Sequence, residues 1–145
     1  MPMVAIGGPP YHRDLLERAY RLKDDGDFEL AVVAAQIACE LLTERVFSVV
    51  LAAGALESLE DPLSKLVRGF NLADDRVRDL YVGLSGDRVQ DQTFWREYKE
   101  HVKRRKKVVH SGKRVDVDGA SKSVQAAADL VDHLEMALAR TPGGT

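Results

Sequence analysis

The chain has 145 residues, of which 45% are hydrophobic, and a formal net charge of −2. A chain of this length builds one core and leaves no room for a second, so we expect a single domain over residues 11–140 with flexible termini at 1–10 and 141–145. The charge is uneven, because residues 99–114 carry eight lysines and arginines against one glutamate, a local charge of +7. Such a patch favours one site for a phosphate-bearing ligand over nonspecific coating of nucleic acid.

The cysteine content and the apolar segments indicate in which cellular compartment the protein is expected. Cys39 is the only cysteine, which excludes an intrachain disulfide and favours a reducing environment, and its apolar surroundings indicate a buried structural thiol. Residues 30–53 are the most apolar window, but Gln36, Glu40, Glu44 and Arg45 interrupt it, so a buried helix fits better than a membrane span. The first ten residues have neither the basic stretch nor the apolar run of a signal peptide. We therefore expect a cytoplasmic protein with no membrane partner.

Hydrophobic periodicity predicts two helices in the first half of the chain. The first runs from Tyr11 to about Asp25 and stops at Gly26. Asp27 is then the expected N-cap of a long central helix from Phe28 to about Ala53, which Gly54 ends. Polar residues of the central helix share one narrow line at helical spacing, and they are Gln36, Glu40, Thr43 and Glu44. Whatever this line faces should be polar.

Two short helices are predicted over residues 60–86. Pro62 opens the first, and the second runs from Asp74 to Leu84. We interpret Asp74 and its neighbour Asp75 as helix N-terminal charges, because no third ligand lies at metal-binding spacing. We expect no metal ion and no other cofactor.

The last two helices complete the predicted bundle. A basic helix should run from about Val89 to Val109, ended by Ser111-Gly112, and a final helix from about Ala120 to Arg140 should follow an Asp118 cap. No segment alternates at period two. The sequence therefore predicts an all-α fold, a bundle of four main helices with short inserted helices. The histidines at 12 and 133 show no signal beyond surface positions.

One side of the basic helix is apolar and yet contains an arginine. Residues that recur at steps of three and four are Phe94, Trp95, Tyr98, His101, Val102, Arg105, Val108 and Val109. An unpaired charge on an apolar face is costly, so Arg105 needs a buried carboxylate, a subunit interface or an anionic ligand. Glu40 is the favoured ion-pair partner, and the alternative is that it orients Arg105 within a site. We interpret His101 and the aromatic residues as core or interface more readily than as catalytic or base-stacking groups.

Arg105 and His110 have the chemistry that metal-free cleavage of a phosphodiester needs. Such cleavage uses a group that moves protons near neutrality and a fixed positive charge beside the crowded phosphate. A histidine before Ser-Gly is also a common helix C-terminal residue. Five positions along a regular helix turn the chain by about 140°, so the pair shares a face only if the helix ends early or the arginine wraps round. Ser111-Gly112 favours an early end.

This segment resembles the signature of a known family. Arg105-Lys106-Lys107-Val108-Val109-His110, followed by Ser-Gly late in an all-helical domain, is similar to the HEPN motif of Arg, four to six residues, then His. The resemblance spans roughly residues 11–140, and Glu40 or Glu44 matches an acidic residue of the family's second helix. The residue after the motif arginine is commonly small and polar, whereas here it is Lys106, which cannot accept a hydrogen bond.

The resemblance implies a homodimer in which two motifs face one cleft, and a metal-independent endoribonuclease of the toxin or phage-defence type. Arg105 would polarise the scissile phosphate while His110 assists attack by the ribose 2′-hydroxyl, so the substrate would be RNA. Further RNA contacts are expected from Arg104, Lys106, Lys107, Lys113 and Arg114, with Glu40, Glu44 and His101 in support. One alternative is a catalytically inactive HEPN-like dimer that binds RNA or a nucleotide. Another is an interaction bundle whose basic face docks an acidic protein such as an antitoxin.

Overall fold

The computed structural model describes residues 10–67 and 69–144, which form six α-helices. They are α1 (Tyr11–Asp24), α2 (Phe28–Ala53), α3 (Glu60–Leu66), α4 (Asp75–Ser85), α5 (Trp95–Ser111) and α6 (Val117–Arg140). No strand occurs within these ranges, and the all-α prediction is confirmed. Most of the two predicted flexible termini, residues 1–9 and 145, lies outside the described residues.

Helix α2 is the centre of the bundle and packs against α1, α5 and α6. Three fully buried leucines illustrate the core: Leu42 from α2, and Leu130 and Leu134 from α6. Burial of one such side chain stabilises the fold by about 1.5–3 kcal/mol. Cys39 is fully buried as well, and burial raises the pKa of its thiol, so this cysteine has the character of a core residue rather than of a nucleophile. Among the described residues, no helix combines the length and apolarity that crossing a bilayer requires.

Several predicted helix ends are confirmed, including the starts of α1 and α2, the end of α6 and the two ends that glycine sets. Helix α2 ends before Gly54, and α5 ends before Gly112, which has a left-handed φ of 62°. Asp27 occupies the predicted N-cap position of α2, but its side chain accepts no hydrogen bond from the helix. The basic helix begins at Trp95 rather than Val89, because the extended backbone of Gln92 (ψ 152°) separates it from a 3-10 turn at Val89–Asp91.

The N-cap of α6 is Asp116 and not Asp118. Asp116 Oδ1 accepts a hydrogen bond from the Gly119 N–H at 2.7 Å, whereas Asp118 lies exposed in the first turn, 3.2 Å from Lys122 Nζ. We expect Asp116→Ala to lower the free energy of unfolding by about 1 kcal/mol, the usual value of a cap. Asp118→Ala, its matched control, should cost no more than about 0.5 kcal/mol. Urea denaturation of both variants checks this, and a larger loss for Asp118→Ala would contradict it.

Two histidines predicted at the surface are tied to distant carboxylates. His12 is 8% exposed, with its Nε2 2.9 Å from Glu135 Oε2, which joins α1 to α6. His133 Nε2 lies 2.7 Å from Asp87 Oδ2, which joins α6 to the segment after α4. The surface prediction is wrong because periodicity gives no information about partners 46 or 123 positions away.

Candidate anion-binding site

A cleft of about 560 Å³ opens between the C-terminal half of α5 and the start of α6, and we call it the basic cleft. Its lining residues are Glu100, Lys103, Arg104, Lys107, Val108, Lys113, Arg114, Val115, Asp116 and Gly119. Five of these side chains are cationic and two are carboxylates, a net charge of +3. A concave surface with this excess of one sign raises the local concentration of anions. Its volume lies within the roughly 300–1,000 Å³ of ordinary ligand sites.

The outer wall of the basic cleft is held in place from α2. After the left-handed turn at Gly112, the Val115 N–H donates to Glu29 Oε2 at 2.7 Å, and Arg114 Nε lies 3.5 Å from Glu29 Oε1. The Val115 N–H lowers the pKa of the Glu29 carboxyl, because a hydrogen bond to the carboxylate favours its ionised form. Val115 also packs with Val32 in a small apolar cluster. The segment that carries Lys113 and Arg114 is thus fixed by the main body of the bundle.

The structure separates the predicted phosphate-binding residues into two groups. Those that line the basic cleft are Arg104, Lys107, Lys113 and Arg114, whereas Lys106 is exposed and does not line it. Lys103 was missed by the sequence analysis. It precedes Lys107 by four positions, and residues at this spacing share a helix face, so helical periodicity applied to the lysines would have found it.

Arg105 faces a different and smaller cavity of about 150 Å³, which we call the Arg105 pocket. Its described lining residues are Glu40, Gly69, Asn71, Asp74, Val77 and Arg105. The predicted ion pair with Glu40 is wrong: among the described residues no carboxylate oxygen lies within 4.0 Å of the Arg105 guanidinium. The Glu40 carboxylate instead accepts a hydrogen bond from Gln36 Nε2 at 2.9 Å. Among the described lining residues, two carboxylates and one guanidinium give a net charge of −1, which does not favour phosphate.

The pair Arg105 and His110 does not meet within one chain. Helix α5 ends before Gly112 but continues past His110 to Ser111, so the expectation that it ends between Arg105 and His110 is wrong, and the two side chains point about 140° apart. The reason is that Gly112 is the first residue to leave the helix, with its N–H and that of Lys113 closing onto the last-turn carbonyls. His110 is exposed and lines neither the basic cleft nor the Arg105 pocket.

His101 is a neutral core residue. It is fully buried, and its Nε2 lies 3.1 Å from Gln36 Oε1. Burial, with added repulsion from Arg104 and Arg105, lowers its pKa from 6.5 to about 3. A histidine that stays neutral and out of solvent supports the fold rather than proton transfer.

The polar line on α2 faces a polar surface only over part of its length. Gln36 contacts His101 and donates to Tyr98 Oη at 3.2 Å, and Glu40 borders the Arg105 pocket. Thr43 donates to a carbonyl of its own helix, and Glu44 is exposed. Glu44 lines neither the basic cleft nor the Arg105 pocket.

Within the described ranges, no three His, Cys, Asp or Glu side chains are grouped as a metal site would require. Asp74 accepts hydrogen bonds from the backbone N–H groups of Arg76 and Val77 and so caps α4. Comparison of the chain with protein-family models, curated proteins and solved structures finds no match. Its function is therefore inferred from the geometry and charge of these cavities.

Proposed function

We propose that the protein binds RNA through the basic cleft. The observation that carries this proposal is the convergence of five cationic side chains on one cavity in a chain whose overall charge is −2. Contacts between lysine or arginine and phosphate supply most of the affinity of proteins for nucleic acids. Binding needs only this cleft, whereas cleavage needs two side chains that lie on different faces of α5. This makes the binding protein, one of the alternatives derived from the sequence, the better supported function.

Salt dependence tests this proposal. The affinity for a mixed-sequence single-stranded RNA, measured by fluorescence anisotropy, should fall with salt by a logarithmic slope of about −0.7 per phosphate contact. We expect Lys107→Ala and Lys113→Ala each to reduce this slope by about 0.7. Lys65→Ala and Arg96→Ala are matched controls, because both side chains are exposed and neither lines the basic cleft. Equal losses in all four variants would mean unspecific attraction and would overturn the proposal.

Metal-independent cleavage of RNA is the second candidate function. It is favoured by the free guanidinium of Arg105, which has no carboxylate within 4.0 Å among the described residues, and by the exposed imidazole of His110 in the last turn of α5. Because these groups diverge within one chain, cleavage would need a second copy whose motif completes the site. The homodimer, control by an antitoxin protein and a cytoplasmic location are further predictions of this candidate.

Cleavage is tested by incubating RNA with the protein in EDTA and analysing the product ends. If Arg105 and His110 are catalytic, the wild-type protein alone should give 2′,3′-cyclic phosphate ends, and Arg105→Ala and His110→Ala should each abolish them. Arg96→Ala is the control for loss of one exposed cation. If no variant cleaves and His110→Ala retains the RNA as well as the wild type does, the protein is a binding protein only.

A further inference from the structure

Arg104 differs from the other cations of the basic cleft because a buried hydroxyl group holds its guanidinium. Its Nη1 donates to Ser123 Oγ at 2.7 Å, and Ser123 is fully buried on α6. The guanidinium has five N–H donors, and no carboxylate lies within 4.0 Å of it among the described residues. Lys103 and Arg114, in contrast, lie within 4.0 Å of Glu100 and Glu29. Arg104 therefore keeps both its uncompensated charge and most of its donors available to the cleft.

Gly119 gives the Arg104 side chain its path across the start of α6. A Cβ atom at this position would lie 3.2 Å from Arg104 Nε, 3.1 Å from Asp116 Oδ1 and 3.1 Å from Val115 Cγ1. These distances are shorter than ordinary van der Waals contacts, so any larger residue would displace the guanidinium or the capping carboxylate. The glycine is required here by close approach and not by its backbone conformation, which is helical.

From this arrangement we infer that Arg104 is a fixed anchor for one phosphate of the bound RNA, whose nucleotide unit occupies the basic cleft. This inference rests on the proposed RNA binding. The phosphate oxygens accept hydrogen bonds from the guanidinium N–H groups that Ser123 leaves unused. Lys107 and Lys113 add charge from long, rotatable stems, and Val108 provides apolar surface for the sugar or base.

The charge distribution around α6 directs the phosphate to Arg104. Helix N-termini commonly bind phosphate, but the first turn of α6 is already occupied by the Asp116 carboxylate, which accepts from the Gly119 N–H. A phosphate at that position would be repelled by this carboxylate. Because Arg104 is held in place before the ligand arrives, less conformational entropy is lost on binding than for an unrestrained arginine.

Calorimetric titration with adenosine 5′-monophosphate and with inorganic phosphate tests the anchor. We expect the wild-type protein to bind the nucleotide, and Ser123→Ala and Gly119→Ala each to weaken binding about fivefold, the effect of one misplaced hydrogen-bonding group. Arg104→Ala should abolish binding of inorganic phosphate. Ser121→Ala is the control for Ser123→Ala, since it alters the same helix outside the cleft. Gly83→Ala is the control for Gly119→Ala, because a Cβ there meets nothing within 4 Å.

Thermal unfolding of each variant distinguishes a misplaced Arg104 guanidinium from a destabilised protein. The two serine variants should unfold at similar temperatures. Equal nucleotide affinity of Ser123→Ala and Ser121→Ala would overturn the anchor. So would a wild-type protein that binds RNA but neither the nucleotide nor phosphate, although RNA binding would then stand. Nucleotide binding that depends on Arg104 and Ser123, without RNA binding, would support the phosphate anchor and reject RNA as the ligand.

Discussion

Lowering the pH from 7 to 5 is expected to reduce the free energy of unfolding by about 2 kcal/mol, because His101 is neutral in the folded protein. Its pKa is lowered from 6.5 to about 3 by burial and by the nearby charges of Arg104 and Arg105. Between these two values the unfolded chain binds a proton at this position and the folded chain does not. Stability therefore falls as the pH drops through this window, by up to about 1.4 kcal/mol per pH unit.

Urea denaturation of wild type and His101→Phe at pH 7 and pH 5 measures this effect. Phenylalanine fills the same space beside Tyr98 and has no titratable group, so most of the pH dependence between 7 and 5 should disappear. The variant should be less stable than the wild type at pH 7, because Gln36 Oε1 loses its donor, and this difference should shrink at pH 5. Equal losses on acidification for wild type and His101→Phe would contradict the prediction.

The stability that the Glu135 carboxylate contributes is lost at a lower pH than the stability lost through His101. Arg13, which hydrogen-bonds the Glu135 carboxylate, lowers the pKa of that group below its ordinary 4.5. A carboxyl whose pKa is depressed on folding contributes stability above the unfolded pKa and loses it as the pH falls through the folded value. The Glu135 contribution is therefore complete at pH 5. A separate loss should appear only below about pH 4.5.

The parts of the fold that sequence predicted well depend on local signals. The boundaries of α2 follow from apolar periodicity and from Gly54, and the end of α5 follows from Gly112, which takes a left-handed conformation. The choice between Asp116 and Asp118 as the cap of α6 was beyond such signals, since both residues suit the position. The hydrogen bond from the Val115 N–H to Glu29 fixes the segment after Gly112, and the position of this segment decides which aspartate caps α6.

The candidate site shows the same division. The basic charge lies within 16 consecutive residues, so its gathering at one cleft followed from the sequence, and four of five predicted phosphate contacts line that cleft. The sequence did not predict where Arg105 points relative to Arg104, because adjacent helix positions differ by about 100° in direction. That rotation sends Arg104 into the basic cleft and Arg105 into a pocket with Glu40 and Asp74. Which arginine faces which cavity depends on how α2 and α6 pack against α5, and periodicity does not encode it.

Gln36→Leu is expected to lower the free energy of unfolding by about 3 kcal/mol, because this buried amide satisfies several neighbours at once. Gln36 is fully buried, its Nε2 donates to Glu40 and Tyr98, and its Oε1 lies 3.1 Å from His101 Nε2. Leucine has a similar volume but leaves the buried imidazole N–H without an acceptor. Denaturation in urea gives the loss directly.

A double-mutant cycle with His101→Phe shows whether the loss arises from this network. In the His101→Phe background the imidazole N–H no longer exists, so Gln36→Leu should cost about 1–2 kcal/mol less there. Strictly additive losses would mean that Gln36 stabilises the core by packing alone. RNA affinity provides the functional control: Gln36 and His101 line neither wall of the basic cleft, so both variants should bind RNA as the wild type does while they remain folded. Stability and binding are then separable properties of the two sides of α5, and a loss of affinity in folded Gln36→Leu would contradict an RNA site confined to the basic cleft.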